Sequence, residues 1–318
     1  MKSSTATFRY HGTGGSLFGL VFVNGLLTVL TLGIYSFWAK NKVREFHYSN
    51  TEMDGDRFTY LGTGGELFAG ALKAAGVMIV LSIIYGLAMA LLGGQGSTAV
   101  TVAMGLTFYI GVGLLICFAI NNARRYRLSR SSWRGIRFSF HGDSAEFLKM
   151  MVRGMLLSVV TLGFHTPYFQ NQRQAFLVNN ARFGSEPFKY DASGRELFGE
   201  FVKAVLLTIP TLGIYWFWYS AFKHRYFWGN TTMRGGRFRS SVSGGELLKL
   251  HLINALLVMC TLGIAMPWAV TRTKSFWFDN MALHGTVDWA SIQQRAQEVG
   301  ATGEGIAESF DVDVGIGM

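Results

Sequence analysis

Four basic side chains near the starts of apolar segments are the residues best placed to do chemistry in this sequence. They are Lys73, Lys149, Arg153 and Lys203. All but Lys149 follow a glutamate by seven residues, so those three hold one position in a repeating pattern. Lys149 and Arg153 are four residues apart and would share one helix face, where both could bind a single phosphate group. This arrangement predicts contacts to an anionic solute or to a lipid headgroup.

The same four cations also have a structural interpretation. Charged residues near a membrane segment are functional hypotheses in their own right. Long basic side chains at a helix start can instead reach the membrane interface and bury only their stems. Repeats arranged around an axis would bring the cations together at a central cavity, whereas the second interpretation leaves them on the outer surface. The sequence leaves both interpretations open.

Other reaction chemistry finds no support in the sequence. The seven histidines include no pair four residues apart and have no cysteine partner, so we expect no metal site. Cys117 and Cys260 both lie inside apolar segments, where a cysteine behaves as a small apolar residue. No nucleophile, base and orienting group occur together, and no nucleotide-binding motif appears. We therefore expect neither an enzyme nor a bound cofactor.

The composition indicates an integral membrane protein. Of 318 residues, 50% are hydrophobic and only 15% are charged. The apolar residues form six blocks, each close to the roughly 20 residues that a bilayer-crossing helix needs. The formal net charge is +10, and the basic residues lie at the ends of the apolar blocks. This placement favours anionic membrane lipids as partners and argues against nucleic acid; protein partners are not indicated.

A repeat of about 50 residues organises the chain. The motif Phe-x-Tyr/Phe, followed by polar residues and Glu-Leu-Phe or a variant, recurs at regular intervals. The predicted repeats are 8–57, 58–137, 138–187, 188–237 and 238–287, the second enlarged to 80 residues. Residues 1–289 would form a single membrane domain. Residues 290–318 are acidic and predict a soluble C-terminal tail.

Each repeat predicts short strands, an apolar helix and a Thr-Leu-Gly break. The pairs Asp54-Gly55, Arg134-Gly135 and Gly235-Gly236 predict two-residue β-hairpin turns at the junctions between repeats. We expect a mainly α-helical membrane protein in which the five repeats are helical hairpins, joined by short β-hairpins on one membrane face. The alternative is six helices that each cross the membrane once, because uncharged runs of about 20 residues are long enough to do so.

The repeated motifs also resemble a known family. The segments FRYHGTGGSLF, TLGIYSFWAKNKVREFHYSN and TEMDGDRFTYLGTGGELF recur with variation over residues 8–289 and resemble the YjgN-like family of bacterial inner-membrane proteins. The resemblance implies a multi-pass protein of the bacterial inner (cytoplasmic) membrane and no particular reaction. The third repeat departs from the pattern, with Phe164-His165-Thr166-Pro167 where the first has Ile34-Tyr35-Ser36-Phe37.

Two classes of function remain open at this point. As a transporter or a protein that binds lipids or anionic solutes, the chain would surround a polar site with its repeats. As a structural or assembly protein, it would present its β-hairpins to partners without catalysis or transport. Because basic residues favour the cytoplasmic side, we expect the β-hairpins and the C-terminal tail on that side.

Overall fold

Five consecutive units, each running strand–helix–helix–strand, make up the computed structural model, which describes residues 5–93, 98–289 and 292. The strands are β1 (Thr5–Tyr10), β2 (Thr51–Met53), β3 (Asp56–Tyr60), β4 (Ser131–Trp133), β5 (Ile136–Phe140), β6 (Ala181–Phe183), β7 (Glu186–Tyr190), β8 (Thr231–Met233), β9 (Gly236–Ser240) and β10 (Met281–His284). The helices are α1 (Gly14–Leu30), α2 (Ser36–Ser49), α3 (Gly64–Ala88), α4 (Thr98–Ser129), α5 (Ser144–Val160), α6 (Thr166–Asn179), α7 (Arg195–Leu207), α8 (Trp216–Gly229), α9 (Gly244–Cys260) and α10 (Met266–Asp279). A π-helical turn, Met89–Gly93, follows α3.

The ten strands close into one antiparallel barrel. Within each unit the two strands pair with each other, as Phe8 does with Met53, and tight turns pair each unit with the next. The first and last strands also pair, with Ala6 opposite Leu283, so the ring has no open edge. Closure satisfies the backbone groups that separate two-stranded hairpins would leave unpaired.

In each of the four units of about 50 residues, the Thr-Leu-Gly sequence forms the turn between the two helices. In the first unit Leu32 and Gly33 both have positive φ, 51° and 93°. The hydroxyl oxygen of Thr31 accepts a hydrogen bond from the backbone N–H of Tyr35 at 2.9 Å, which holds the turn. The chain thus reverses after the 17 residues of α1, where the hydropathy pattern alone suggests one continuous apolar segment.

The predicted fold class, a mainly helical multi-pass membrane protein with short β-hairpins on one membrane face, is therefore wrong. The strands form a closed barrel, and in the described part of the chain only Gly64–Leu91 and Thr98–Ser129 are long and apolar enough to cross a membrane. The alternative of six single-crossing helices is wrong for the same reason. For the alternative, the physical cause is the left-handed Leu-Gly turn, which divides four apolar blocks into helices of 17 residues or fewer. For the predicted fold class, the cause is the pairing of β1 with β10, which closes all the hairpins into one ring.

Aromatic side chains fill the barrel. Phenylalanines from the long strand of each unit form a ring; they are Phe8, Phe58, Phe138, Phe188 and Phe238. Successive centroids from Phe58 to Phe138, Phe188 and Phe238 lie 6.2, 6.4 and 6.2 Å apart. Val287, Trp289 and Ile292 pack against this core after β10. Of the predicted acidic tail, residues 290–318, only Ile292 is among the described residues.

Candidate functional site

The barrel lumen is narrow and lined by apolar side chains. The space left among its side chains is about 50 Å³, and aromatic rings and methionines line it. A cavity of this kind has no polar partners for water and stays dry. Any polar ligand must therefore bind outside the lumen.

A layer of basic side chains lies next to the lumen, on the second helix of each unit. Leu128, Trp228 and Phe278, near the ends of α4, α8 and α10, belong to the aromatic core or pack against it. Four residues earlier on the same helices stand Arg124, His224 and Lys274. Residues four apart share a helix face, so these groups lie one turn beyond the lumen on the helical side. With their basic neighbours they form the basic ring, which we define as His47, Arg124, Arg173, Lys223, His224 and Lys274.

Basic side chains from different units interact electrostatically within this ring. Burial together with the charge of Lys274, from the fifth unit, lowers the pKa of His47 in the first unit to about 4. Arg173 of the third unit interacts electrostatically with Arg124 of the second and, after burial, helps to lower the pKa of Lys223 in the fourth. The charges that shift the pKa values of His47 and Lys223 are those of other cations. An anion placed here would relieve that repulsion.

The arginines of the ring are partly desolvated. Arg173 is exposed, yet burial by surrounding protein lowers the pKa of its guanidinium group. Arg124 is half-buried with its guanidinium 5.6 Å from the centre of the Phe140 ring, and its buried Nε atom makes no hydrogen bond. A buried guanidinium N–H without an acceptor is costly, and an anionic oxygen would offset the cost.

The two histidines of the ring are neutral at pH 7. Nδ1 of His47 lies 2.7 Å from the hydroxyl of Tyr10, and Nδ1 of His224 lies 2.9 Å from the hydroxyl of Ser240. Burial, with Arg225 and Lys223 nearby, lowers the pKa of His224 to about 4. The positive charge of the ring at neutral pH therefore comes from its arginines and lysines.

The four cations predicted from the sequence lie elsewhere. Lys73 is on α3, Lys149 and Arg153 are on α5 and Lys203 is on α7, and each is exposed on the first helix of its unit. Lys203 Nζ donates a hydrogen bond to Glu200 Oε1 at 2.6 Å. The structure keeps Lys149 and Arg153 on one helix. Ligand contact by these four residues stays a prediction.

The basic ring was missed at the sequence level, although a signal for it exists. Arg124, His224 and Lys274 occupy one position in their repeats, four residues before a side chain of the aromatic core. A search for cations at a fixed distance from the core positions would have found them. As for metals, the described residues contain no group of three or more His, Cys, Asp or Glu side chains able to hold one, and the expected lack of a metal stays a prediction.

Comparison with known proteins shows family and location. A family model described as bacterial protein of unknown function, DUF898, matches residues 5–206, 187–239 and 231–309. Proteins named inner membrane protein YjgN are similar to the chain: 25% identical over 59% of it in Escherichia coli O157:H7, 31% over 53% in E. coli K12, and 32% over 42% in Salmonella typhimurium LT2. These matches confirm the resemblance to the YjgN-like family.

The chain spans about half or less of these relatives, since the matched regions cover 53%, 39% and 31% of their lengths. No solved structure matches the chain. The names of these relatives support a location in the bacterial inner membrane, and two of the described helices are long and apolar enough to cross a membrane.

Proposed function

This chain belongs to the DUF898 family of bacterial proteins of unknown function, and we propose that it binds a phosphate-bearing anion at the basic ring. The observation that carries the proposal is the set of cations from neighbouring units that repel one another, with the buried Arg124 Nε lacking a hydrogen bond. Phosphate oxygens accept charge-assisted hydrogen bonds from guanidinium and ammonium groups. A phosphate group bound at the basic ring would offset both the repulsion between the cations and the cost of the unpaired Arg124 Nε.

The proposed position in the membrane favours a lipid phosphate as the anion. Four turns between helices each present a leucine to the outside: Leu32, Leu162, Leu212 and Leu262, which are 94%, 90%, 91% and 94% exposed. Apolar tips of this kind suit insertion into lipid. Lys274 follows the first residue of α10 by eight residues, about 12 Å of helix. With the tips buried in one leaflet, about 15 Å of hydrocarbon, the ring would lie near the headgroups.

We place the two long helices, α3 and α4, across the bilayer and the barrel on the cytoplasmic side. Arg124, Arg125 and Arg127 lie at the barrel end of α4, and basic residues near a span favour the cytoplasm. Binding is proposed in preference to conduction because the barrel lumen is filled with aromatic side chains. We propose no catalytic role.

A matched pair of double variants tests the proposal. Arg173→Gln with Lys223→Gln removes two charges from the ring, and Lys149→Gln with Arg153→Gln removes two from the outer face of α5. The purified proteins would be titrated with phosphatidylglycerol in nanodiscs and, separately, with inorganic phosphate. We expect the ring variant to lose at least about tenfold in affinity, while the outer variant stays near wild type.

Each outcome of this experiment has a defined meaning. Loss of inorganic phosphate binding in the ring variant would point to a solute, and loss of lipid binding alone to a headgroup. Equal losses in both variants would show a non-specific charge effect, and a loss only in the outer variant would move the site to Lys149 and Arg153. Unchanged binding in both would favour the second function, a structural protein that presents its filled barrel to partners.

A further inference from the structure

The helical hairpin of the first unit contains a groove with a volume of about 620 Å³ between α1 and α2. Gly25 and Val29 contribute apolar wall toward the tip of the hairpin, Arg44 lies toward the barrel, and Lys40 is about level with Asn24. Asn24 lines the middle. The volume is within the range of small-molecule sites, roughly 300–1,000 Å³.

Asn24 carries an amide that the fold itself does not satisfy. The residue is 4% exposed, and its Nδ2 atom makes no hydrogen bond. Asn254 holds the same position in the fifth unit, where its Nδ2 donates to the Ala269 carbonyl at 3.3 Å and to Thr273 Oγ1 at 3.1 Å. In the first unit Val43 stands where the fifth has Thr273, so the hydroxyl acceptor is missing. A buried donor left in this way predicts an acceptor from a ligand.

Small side chains keep the groove open. In the third unit Gly154 holds the position of Asn24, and a Cβ atom there would lie 2.0 Å from the ring of Phe169. The first unit has Ala39 where the third has Phe169, so that ring is replaced by a methyl group. Gly25 adds space, since a Cβ atom built on it would meet nothing within 4 Å. Ala39 and Gly25 together leave the space of the groove in the first unit.

We infer that this groove binds one anionic phospholipid. Its phosphate lies at Lys40 and Arg44, an ester carbonyl accepts the hydrogen bond of Asn24 Nδ2, and an acyl chain runs past Gly25 and Val29 toward the tip. The order of these groups matches the direction of a lipid, with Arg44 toward the barrel, Lys40 beside Asn24 and the apolar wall toward the tip. None of the six residues that define the basic ring lines the groove, although Arg44 holds the repeat position of Arg124, His224 and Lys274.

The test fills the groove with a side chain. Gly25→Leu places an apolar side chain where the acyl chain would lie, and Gly19→Leu, on the same helix and also without atoms within 4 Å of its Cβ, is the matched control. Native mass spectrometry would count the phospholipids retained after release from phosphatidylglycerol nanodiscs and from phosphatidylcholine nanodiscs. We expect Gly25→Leu to retain one phosphatidylglycerol fewer than wild type and Gly19→Leu to match wild type. Asn24→Leu is expected to lower the occupancy of the same lipid.

Three results of the lipid count would overturn the inference: an unchanged count in Gly25→Leu, an equal loss in Gly19→Leu, or equal retention of phosphatidylcholine. Inorganic phosphate that displaces the lipid would show that the charged end alone is recognised, which also contradicts it. The double variant Arg173→Gln with Lys223→Gln is counted in parallel. It is expected to keep the groove lipid, so the groove and the basic ring can fail separately.

Discussion

Trp289 packs edge-on against Trp133, with ring centroids 4.8 Å apart and ring planes at 70°. Trp289 also meets the edge of Phe183, at 6.4 Å. The segment after β10 therefore contributes side chains to the lumen that the strands alone would leave open. The C-terminal end of the domain is part of the barrel core.

Removing this ring should loosen the barrel. We expect Trp289→Ala to lower the free energy of unfolding by about 2 kcal/mol, less than for a fully buried tryptophan because Trp289 is half-buried. Thermal unfolding in mild detergent measures the change, and Trp289→Phe, which keeps an aromatic ring, should recover part of it. Wild-type stability in Trp289→Ala would show that the segment does not support the core.

The phenylalanine ring should be a major source of stability. Phe138 is 7% exposed and contacts the rings of Phe58, Phe183 and Phe188. Truncation to alanine is expected to cost about 3–5 kcal/mol, because the close-packed lumen cannot collapse around the space. Phe22→Ala is the control, since Phe22 is 56% exposed and outside the barrel. Similar denaturation midpoints for the two variants would argue against a packed lumen.

The leucine tips should lie in lipid. Spin labels attached to Leu162→Cys and Leu212→Cys, in a background with both native cysteines replaced by alanine, are expected to be accessible to oxygen and protected from a water-soluble relaxation agent. A label at Arg57→Cys, on an exposed strand residue, should show the reverse. Measurement in liposomes by electron paramagnetic resonance decides the matter. Water exposure at both tips would be incompatible with the proposed insertion.

Stability should fall in mildly acidic solution. His47 and His224 have pKa values of about 4 in the fold, below the ordinary value of 6.5. Between these values the unfolded chain binds protons that the folded chain does not, so stability decreases as pH drops from 6.5 toward 4. We expect His224→Gln to reduce the difference in unfolding midpoint between pH 7 and pH 5. His251→Gln, on α9 outside the basic ring, serves as the control; an unaltered pH difference in His224→Gln would contradict the assignment.

Local features of the barrel could be predicted from the sequence. Asp54-Gly55 and Arg134-Gly135 form the turns that their residue types indicate, because both positions of such a turn have positive φ. In the fourth junction Gly235-Gly236 was the wrong pair. Met233 pairs with Gly236, so the two-residue loop is Arg234-Gly235. Arg234-Gly235 and Gly235-Gly236 both have a glycine that suits a two-residue turn, so only the strand register shows which pair forms it.

Features that depend on distant parts of the chain could not be predicted. Pairing of Ala6 with Leu283 joins the two ends of the domain, and no local pattern encodes it. The Thr-Leu-Gly sequence predicted a break, but not the left-handed conformation of Leu32 within it, which is uncommon for residues other than glycine. The basic ring depends on helix faces from separate units. Lys73 and Lys203, which are exposed, could be picked out because each follows a glutamate by seven residues in the sequence itself.

Closure of the barrel also sets a rule for how such a protein can change in size. Each strand already has two partners, so a sixth unit could enter only by breaking a ladder and widening the whole circumference. Residues can be added at the helix ends far from the barrel without breaking strand pairs, and the second unit is lengthened there, in α3 and α4. We therefore expect longer members of the family to add residues to the helices or to the termini and to keep the number of barrel strands unchanged.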